Sequence, residues 1–200
     1  MARVPYLEMQ SLGPGPEDPT PYNPDWVSDH NIHRAMANHP EALRVFWPRI
    51  GMWLRGKSSL EPRLRELAII QTSYTTASGY EFAHHVHFAK SVGVTEDDVS
   101  AIIDESNGKQ SHLTDLESAA IRLARTLTTD IDIEDSAWNF LHDQLGIECL
   151  LELVLAVSYY NHIIRLVAAL EVGVTSEEGE EDLKPYLDQF DAPKEIGRWR

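Results

Sequence analysis

The most hydrophobic part of the sequence is the segment 147–170, which begins directly after Gly146. A glycine at this point ends the preceding helix and starts a new one. A helix with so much apolar surface has to be covered by other elements of the fold. The segment is therefore predicted to be the core helix, and the rest of the chain has to supply its cover.

The remaining sequence supplies helices and no strands. Apolar residues recur at spacings of three and four, without the strict alternation that a half-buried strand shows. Most of these segments open at a capping residue or a proline, and several end at glycine or before it. The predicted helices before the core helix are 28–37, 40–50, 62–74, 78–93, 95–106, 114–127 and 133–145. The fold class is thus all-α, a single-domain helical bundle of about eight helices.

The two ends of the chain differ from this bundle. Residues 1–25 contain six prolines, which argue against regular structure. They are predicted to form an arm that either dangles or lies extended across a partner subunit. The helical domain covers 26–174, and residues 175–200 are predicted to be loop and an acidic C-terminal tail.

Charge and composition restrict the class of partner. Lysine and arginine number 17 against 32 acidic residues, and the net charge is −15. A field of this sign disfavours nucleic acid and anionic membranes. The sequence has no long uncharged apolar run and no secretory h-region. The single cysteine, Cys149, cannot form an internal disulfide and is predicted to be an inert core residue. We therefore expect a cytoplasmic protein.

The residues that point to chemistry lie between Arg63 and Thr95. Glu66 precedes Ser78 by twelve positions, and Glu81 lies three residues after Ser78. His85 follows four residues after Glu81, so the two share one face of a helix. A partly buried carboxylate beside an imidazole is suited to moving protons near neutral pH.

This stretch resembles the signature helices of the carboxymuconolactone decarboxylase and alkylhydroperoxidase D-like family. In the alkylhydroperoxidase branch, a glutamate precedes a Cys-x-x-Cys pair by twelve positions and a histidine follows the pair by four. The spacing is kept here, but Ser78 and Glu81 occupy the cysteine positions. Thiol peroxidase chemistry needs a nucleophilic thiolate and a resolving thiol, so this activity is not expected.

The resemblance implies a helical bundle of the alkylhydroperoxidase D-like type, assembled as a homo-oligomer. A trimer or hexamer is preferred, with a dimer next. Packing of the signature helices as in the family would bring together Glu66, Glu81 and His85, which are the predicted catalytic residues. In these roles His85 is the proton donor or shuttle, Glu66 orients it or acts as a base, and Glu81 is a second acid-base group.

Five further residues are predicted to bind the substrate. Tyr74 adds a hydroxyl donor, and Arg165 on the core helix is the natural clamp for a carboxylate. The remaining three are Ser78, His84 and His162. For His162, a hydrogen-bonded core histidine is an equally good interpretation.

Structural interpretations compete with these roles. Ser78 and Glu81 fit the two halves of a helix capping box. Glu66 can instead form an ion pair with Arg63, with Arg65 or with a partner chain. Neither interpretation excludes a role in catalysis.

No metal or other cofactor is predicted. The segment 81–84 has the Glu-x-x-His form of di-iron bundles, but such sites need a second copy that the sequence does not contain. The resemblance implies a cofactor-independent proton-transfer enzyme that decarboxylates or isomerises a small unsaturated lactone or keto acid. The alternative is a non-catalytic oligomeric scaffold or ligand-binding protein that kept the fold after losing the thiols.

Overall fold

The described residues of the computed structural model, 2–8, 30–46, 50–175 and 180–190, contain helices and no strand. The helices are α1 (Asn31–Met36), α2 (Pro40–Phe46), α3 (Met52–Gly56), α4 (Pro62–Thr75), α5 (Gly79–Ala89), α6 (Glu96–Ser106), α7 (Asp115–Thr129), α8 (Asp135–Leu170) and α9 (Glu180–Gln189). The predicted all-α class is confirmed.

Helix α8 changes direction at Gly146, whose φ of 72° and ψ of 165° are not helical. Only glycine adopts such a conformation without a large steric cost. The break separates 135–145 from 147–170, as the sequence predicts. By length and composition alone, α8 would also be able to cross a membrane, with 44% of its most hydrophobic window buried inside the protein.

Helix α4 is the one that the other helices enclose. Every residue from Leu64 to Thr75 is buried, and α4 packs against α5, α7 and α8. Polar residues are tolerated here because their hydroxyls bond to the carbonyls of the preceding turn. Thr72 donates to a carbonyl at 2.8 Å and Ser73 donates to another at 2.9 Å. The segment 147–170 of α8, which was predicted to be the core helix, buries one face against α4 and leaves another face exposed.

Arg63 ties together the N-terminal ends of α4, α6 and α7. Its guanidinium bonds to Asp98 at 2.9 Å and to Glu117 at 2.8 Å. Asp98 and Glu117 also complete capping boxes with Thr95 and Thr114, which confirms the predicted starts of α6 and α7. Arg63 is therefore engaged away from Glu66, and the alternative that pairs these two residues is wrong.

Both ends of the chain pack more closely than the sequence predicts. At the start of the arm, Arg3 N donates to Leu170 O at 2.9 Å and Leu7 N donates to Arg34 O at 3.2 Å, so residues 2–8 lie on their own chain. Residues 180–189 form α9 rather than loop, because Leu183 and neighbouring apolar residues pack into the core beside α5. Residues 9–25 and 191–200 lie outside the described part of the chain.

Candidate active site

The centre of the site is a buried contact between α4 and α5. Glu66 Oε2 lies 2.7 Å from His85 Nδ1, and these two residues are 0% and 3% exposed. Because α4 is enclosed on several sides, its carboxylate reaches His85 away from bulk water. The predicted convergence of Glu66 and His85 is found in the structure.

His85 and two arginines keep Glu66 in its charged form. Burial is the largest single influence and acts to raise the pKa of Glu66, but His85, Arg65 and Arg55 together outweigh it, and the pKa lies below its usual value. Arg65 Nε lies 3.2 Å from Glu66 Oε1.

The ionised carboxylate decides which ring nitrogen of His85 carries a proton. A carboxylate only accepts hydrogen bonds, so Nδ1 donates to Glu66. This arrangement orients the imidazole and stabilises the imidazolium that forms when the ring gains a second proton. Nε2 is therefore the ring nitrogen that is available for proton exchange.

Glu81 stands beside that second nitrogen. Its Oε2 lies 3.6 Å from His85 Nε2, and Glu81 is 5% exposed. The capping-box interpretation is wrong, because Ser78 makes no side-chain cap hydrogen bond at the start of α5. Glu81 points inward to the imidazole instead.

Sequence reasoning missed two members of the site, Arg55 on α3 and Tyr160 on α8. The Tyr160 ring packs edge-on against the His85 ring at 4.5 Å between centroids. Its hydroxyl accepts a hydrogen bond from Arg55 Nη2 at 3.3 Å. Burial raises the pKa of Tyr160, so the phenol keeps its proton at neutral pH. A hydroxyl at the end of a buried side chain on an apolar helix is the signal that could have identified Tyr160.

Tyr74 and His84 lie apart from the acid-base groups. The Tyr74 ring packs against Phe82 and, at 6.2 Å, against Phe190 in the apolar cluster beside α9. His84 Nδ1 lies 2.8 Å from Tyr80 O, and its ring packs against the Tyr80 ring with a tilt of 41°. Substrate-binding roles for these two residues are not supported by their positions.

Ser78, His162 and Arg165 are also outside the buried cluster. Ser78 lines a surface pocket between the start of α5 and the end of α8. His162 and Arg165 are exposed, and the Arg165 guanidinium bonds back to Asn161 Oδ1 at 2.9 Å. The predicted arginine clamp on α8 is therefore not at the site. The arginine that contacts Tyr160 of the site is Arg55 on α3.

Cys149 has no thiol partner and lies away from this site. It packs at the edge of the cluster between α4, α7 and α8. Burial raises the pKa of its thiol, as do Glu152 and Glu148, so the thiolate is disfavoured. No group of three or more His, Cys, Asp or Glu in the described ranges is placed to hold a metal ion.

A protein-family model matches the central part of the chain. Residues 40–107 match the carboxymuconolactone decarboxylase family, and this range includes Glu66, Glu81 and His85. This part of the chain is therefore similar to the carboxymuconolactone decarboxylase family. The match confirms the resemblance seen in the spacing. No curated protein matches the chain by sequence.

Two solved structures share the fold. One is the debrominase Bmp8, a cysteine-to-alanine variant in complex with 2,3,4-tribromopyrrole, with a TM-score of 0.68 and 16% identity over 81% of this chain and 83% of that chain. The other is an uncharacterized peroxidase-related protein from Silicibacter sp. TM1040, with a TM-score of 0.64 and 16% identity over 74% and 78% of the two chains. The alkylhydroperoxidase D-like fold is thereby confirmed.

Proposed function

We propose that this protein is a cofactor-independent proton-transfer enzyme that acts on a small unsaturated lactone or keto acid by decarboxylation or isomerisation. The observation that carries the proposal is the buried line of Glu66, His85 and Glu81, with 2.7 Å and 3.6 Å between successive groups. The family and the fold shared with a debrominase support an enzyme-type fold. The ring bound to that debrominase is small and unsaturated, which fits a substrate of similar size.

The acid-base groups suit chemistry through an enolate. In isomerisation, His85 Nε2 takes a proton from the carbon next to a carbonyl group, and the electron pair of that C–H bond moves onto the carbonyl oxygen. Glu66 stabilises the imidazolium that results. The proton then returns at a different carbon of the same enolate, and Glu81 is placed to assist this transfer.

Decarboxylation uses the same groups in a different order. The bond to the departing carboxylate breaks, carbon dioxide leaves, and the electron pair remains as a dienolate. The His85 imidazolium then donates its Nε2 proton to carbon. In both reactions His85 exchanges a proton with carbon, so one set of variants tests both.

The test is a screen of unsaturated lactone acids and keto acids. Reaction of each compound is detected as a change in ultraviolet absorbance or as release of carbon dioxide. An active compound should lose about 10²-fold in turnover with His85→Gln, the usual effect of removing a positioned proton-transfer group. A matched control is His87→Gln, because His87 is exposed on the same helix. Equal turnover by the two variants would refute the proposal.

The non-catalytic scaffold is favoured by one observation. Glu66, His85 and Glu81 are each at most 5% exposed, and a buried ion pair of this kind can serve stability alone. In that case His85→Gln would lower the free energy of unfolding and no compound in the screen would react. Turnover that depends on His85 distinguishes the enzyme from the scaffold.

We also propose that the chain works as a homo-oligomer. Ile147, Leu151 and Leu155 follow one another at intervals of four on α8 and are 50%, 48% and 48% exposed. Contiguous exposed apolar side chains usually mark an interaction surface. A net charge of −15 disfavours an anionic membrane as the cover, whereas a second copy would bury the three side chains.

A further inference from the structure

One of the five side chains that meet at the candidate site is exposed. Glu66, Glu81, His85 and Tyr160 are all buried, whereas Arg55 is exposed. Although Arg55 as a whole is exposed, its guanidinium contacts the Tyr160 hydroxyl and thus the innermost part of the site.

We infer that Arg55 binds the anionic group of the substrate, which is a carboxylate retained in the product or, in a decarboxylation, the oxygen that becomes negative. This assignment rests on the proposed function and names the specificity-determining residue of that site. A guanidinium has five N–H donors in a planar fork, which matches a carboxylate in two parallel hydrogen bonds. Nη2 donates to the Tyr160 hydroxyl, and the ring of Tyr160 packs against the ring of His85.

The backbone on either side of Arg55 is fixed by buried charges. Before it, Arg65 Nη1 donates to Leu54 O at 2.7 Å. After it, Glu152 Oε2 accepts from Ser58 Oγ at 2.8 Å and from the backbone N–H of residue 60 at 2.6 Å. Arg65 and Glu152 are 4% and 3% exposed. The chain around Arg55 is thus held at Leu54 and again just after α3, which preorganises the guanidinium for a ligand.

The guanidinium itself has a defined position. Its central carbon lies 5.0 Å from the centroid of the Phe88 ring, within the range of a cation–π contact. Tyr160, and less strongly Glu66 and Glu81, raise the pKa of Arg55, so its charge is permanent. The two carboxylates also repel a substrate anion, which should therefore remain at Arg55 while the reacting carbon extends toward His85.

The direction of charge movement decides which group Arg55 binds. In a decarboxylation, negative charge leaves the departing carboxylate and accumulates on the rest of the molecule. A cation bound to the departing group would stabilise the substrate more than the transition state and would slow the reaction. Arg55 should therefore bind a group that keeps or gains negative charge, which makes the substrate class an acid with a second oxygen function.

The test uses binding and needs no turnover. Sorbate, an unsaturated monocarboxylate, and its neutral amide are titrated calorimetrically into the full chain at pH 7. Sorbate should bind to wild type at least tenfold more tightly than to Arg55→Gln, whereas the amide should not distinguish the two. Arg55→Lys keeps the charge but loses the fork, so an intermediate affinity is expected.

Arg165→Gln is the matched control, because Arg165 is exposed on α8 and bonded to Asn161. It should bind sorbate as wild type does. Three results would each overturn the assignment. The first is equally weakened sorbate binding in the two glutamine variants, and the second is unchanged sorbate affinity in Arg55→Gln. The third is a wild-type protein that shows no saturable sorbate binding. Loss of turnover in His85→Gln with unchanged sorbate affinity in Arg55→Gln would refute this inference and leave the proposed function standing.

Discussion

Replacing Glu66 by glutamine tests the acid-base site most directly. The substitution keeps the volume and one acceptor oxygen but removes the charge that faces His85 at 2.7 Å and Arg65 at 3.2 Å. The amide oxygen can serve only one of these two donors, and the NH2 group meets the other. The imidazolium formed during proton transfer then lacks its counter-charge.

The expected loss follows from the geometry. At an effective dielectric constant of about 20, opposite unit charges about 4 Å apart attract by about 4 kcal/mol. A hydrogen bond to the neutral amide would restore about 1 kcal/mol of this. The remaining 3 kcal/mol or so corresponds to a fall in kcat of about 10²-fold, at roughly 1.4 kcal/mol per factor of ten.

The assay measures initial rates on a compound found in the screen, together with urea unfolding to show that each variant is folded. Glu96→Gln provides the control, because Glu96 has a side chain 71% exposed and lies outside the site. Glu66→Gln combined with His85→Gln should lose little more than either alone, since the two residues act as a unit. A Glu66→Gln enzyme that keeps a third or more of the wild-type rate would refute the reasoning.

Four other outcomes are expected. Ser78→Ala should change the free energy of unfolding by less than about 0.5 kcal/mol, whereas Thr114→Ala, which removes an observed cap, should cost about 1 kcal/mol in urea unfolding. Cys149→Ser should leave turnover within a few-fold of wild type, and a peroxidase activity abolished by it would contradict the site. Arg63 holds the pKa of Asp98 well below its usual value, so the stabilisation from this carboxylate is present above about pH 4 and is lost as the pH falls. Between pH 7 and pH 2, the free energy of unfolding of Asp98→Asn should therefore fall by less than that of wild type. Leu155→Glu should shift the mass measured by light scattering toward that of one chain, and a wild-type mass of 22.6 kDa would refute the oligomer.

Helix boundaries were the part of the fold that the sequence predicts best, because capping chemistry is local. Thr95 and Thr114 mark helix starts through hydrogen bonds to residues three positions away, and Gly146 marks a break through its own φ. Helix α9 was missed for the opposite reason. Its acidic residues suggest a solvated tail, and only contact with the distant α5 shows that Leu183 and Tyr186 are buried.

The candidate site shows the same division. Spacing within one helix placed Glu81 beside His85, and the family resemblance supplied Glu66 from the helix before. Arg165 was wrongly predicted to be the cation of the site, because composition does not show which face of α8 carries its side chain. Arg55 comes from a five-residue helix with little sequence signal, and only the tertiary packing of α3 brings it to Tyr160.

The exchange at position 81 explains how one helix pair can support different chemistry. In the alkylhydroperoxidase branch, this position holds the second cysteine of the pair, one helical turn before the histidine. Here a carboxylate stands there, and its oxygen lies 3.6 Å from His85 Nε2. An imidazole beside a thiol helps form a thiolate, which reacts with peroxide. An imidazole beside a carboxylate can exchange protons but no electrons, because neither group is readily oxidised. Glu66 orients the ring through Nδ1 in this chain, so the acid-base pair of the proposed site does not depend on the cysteines.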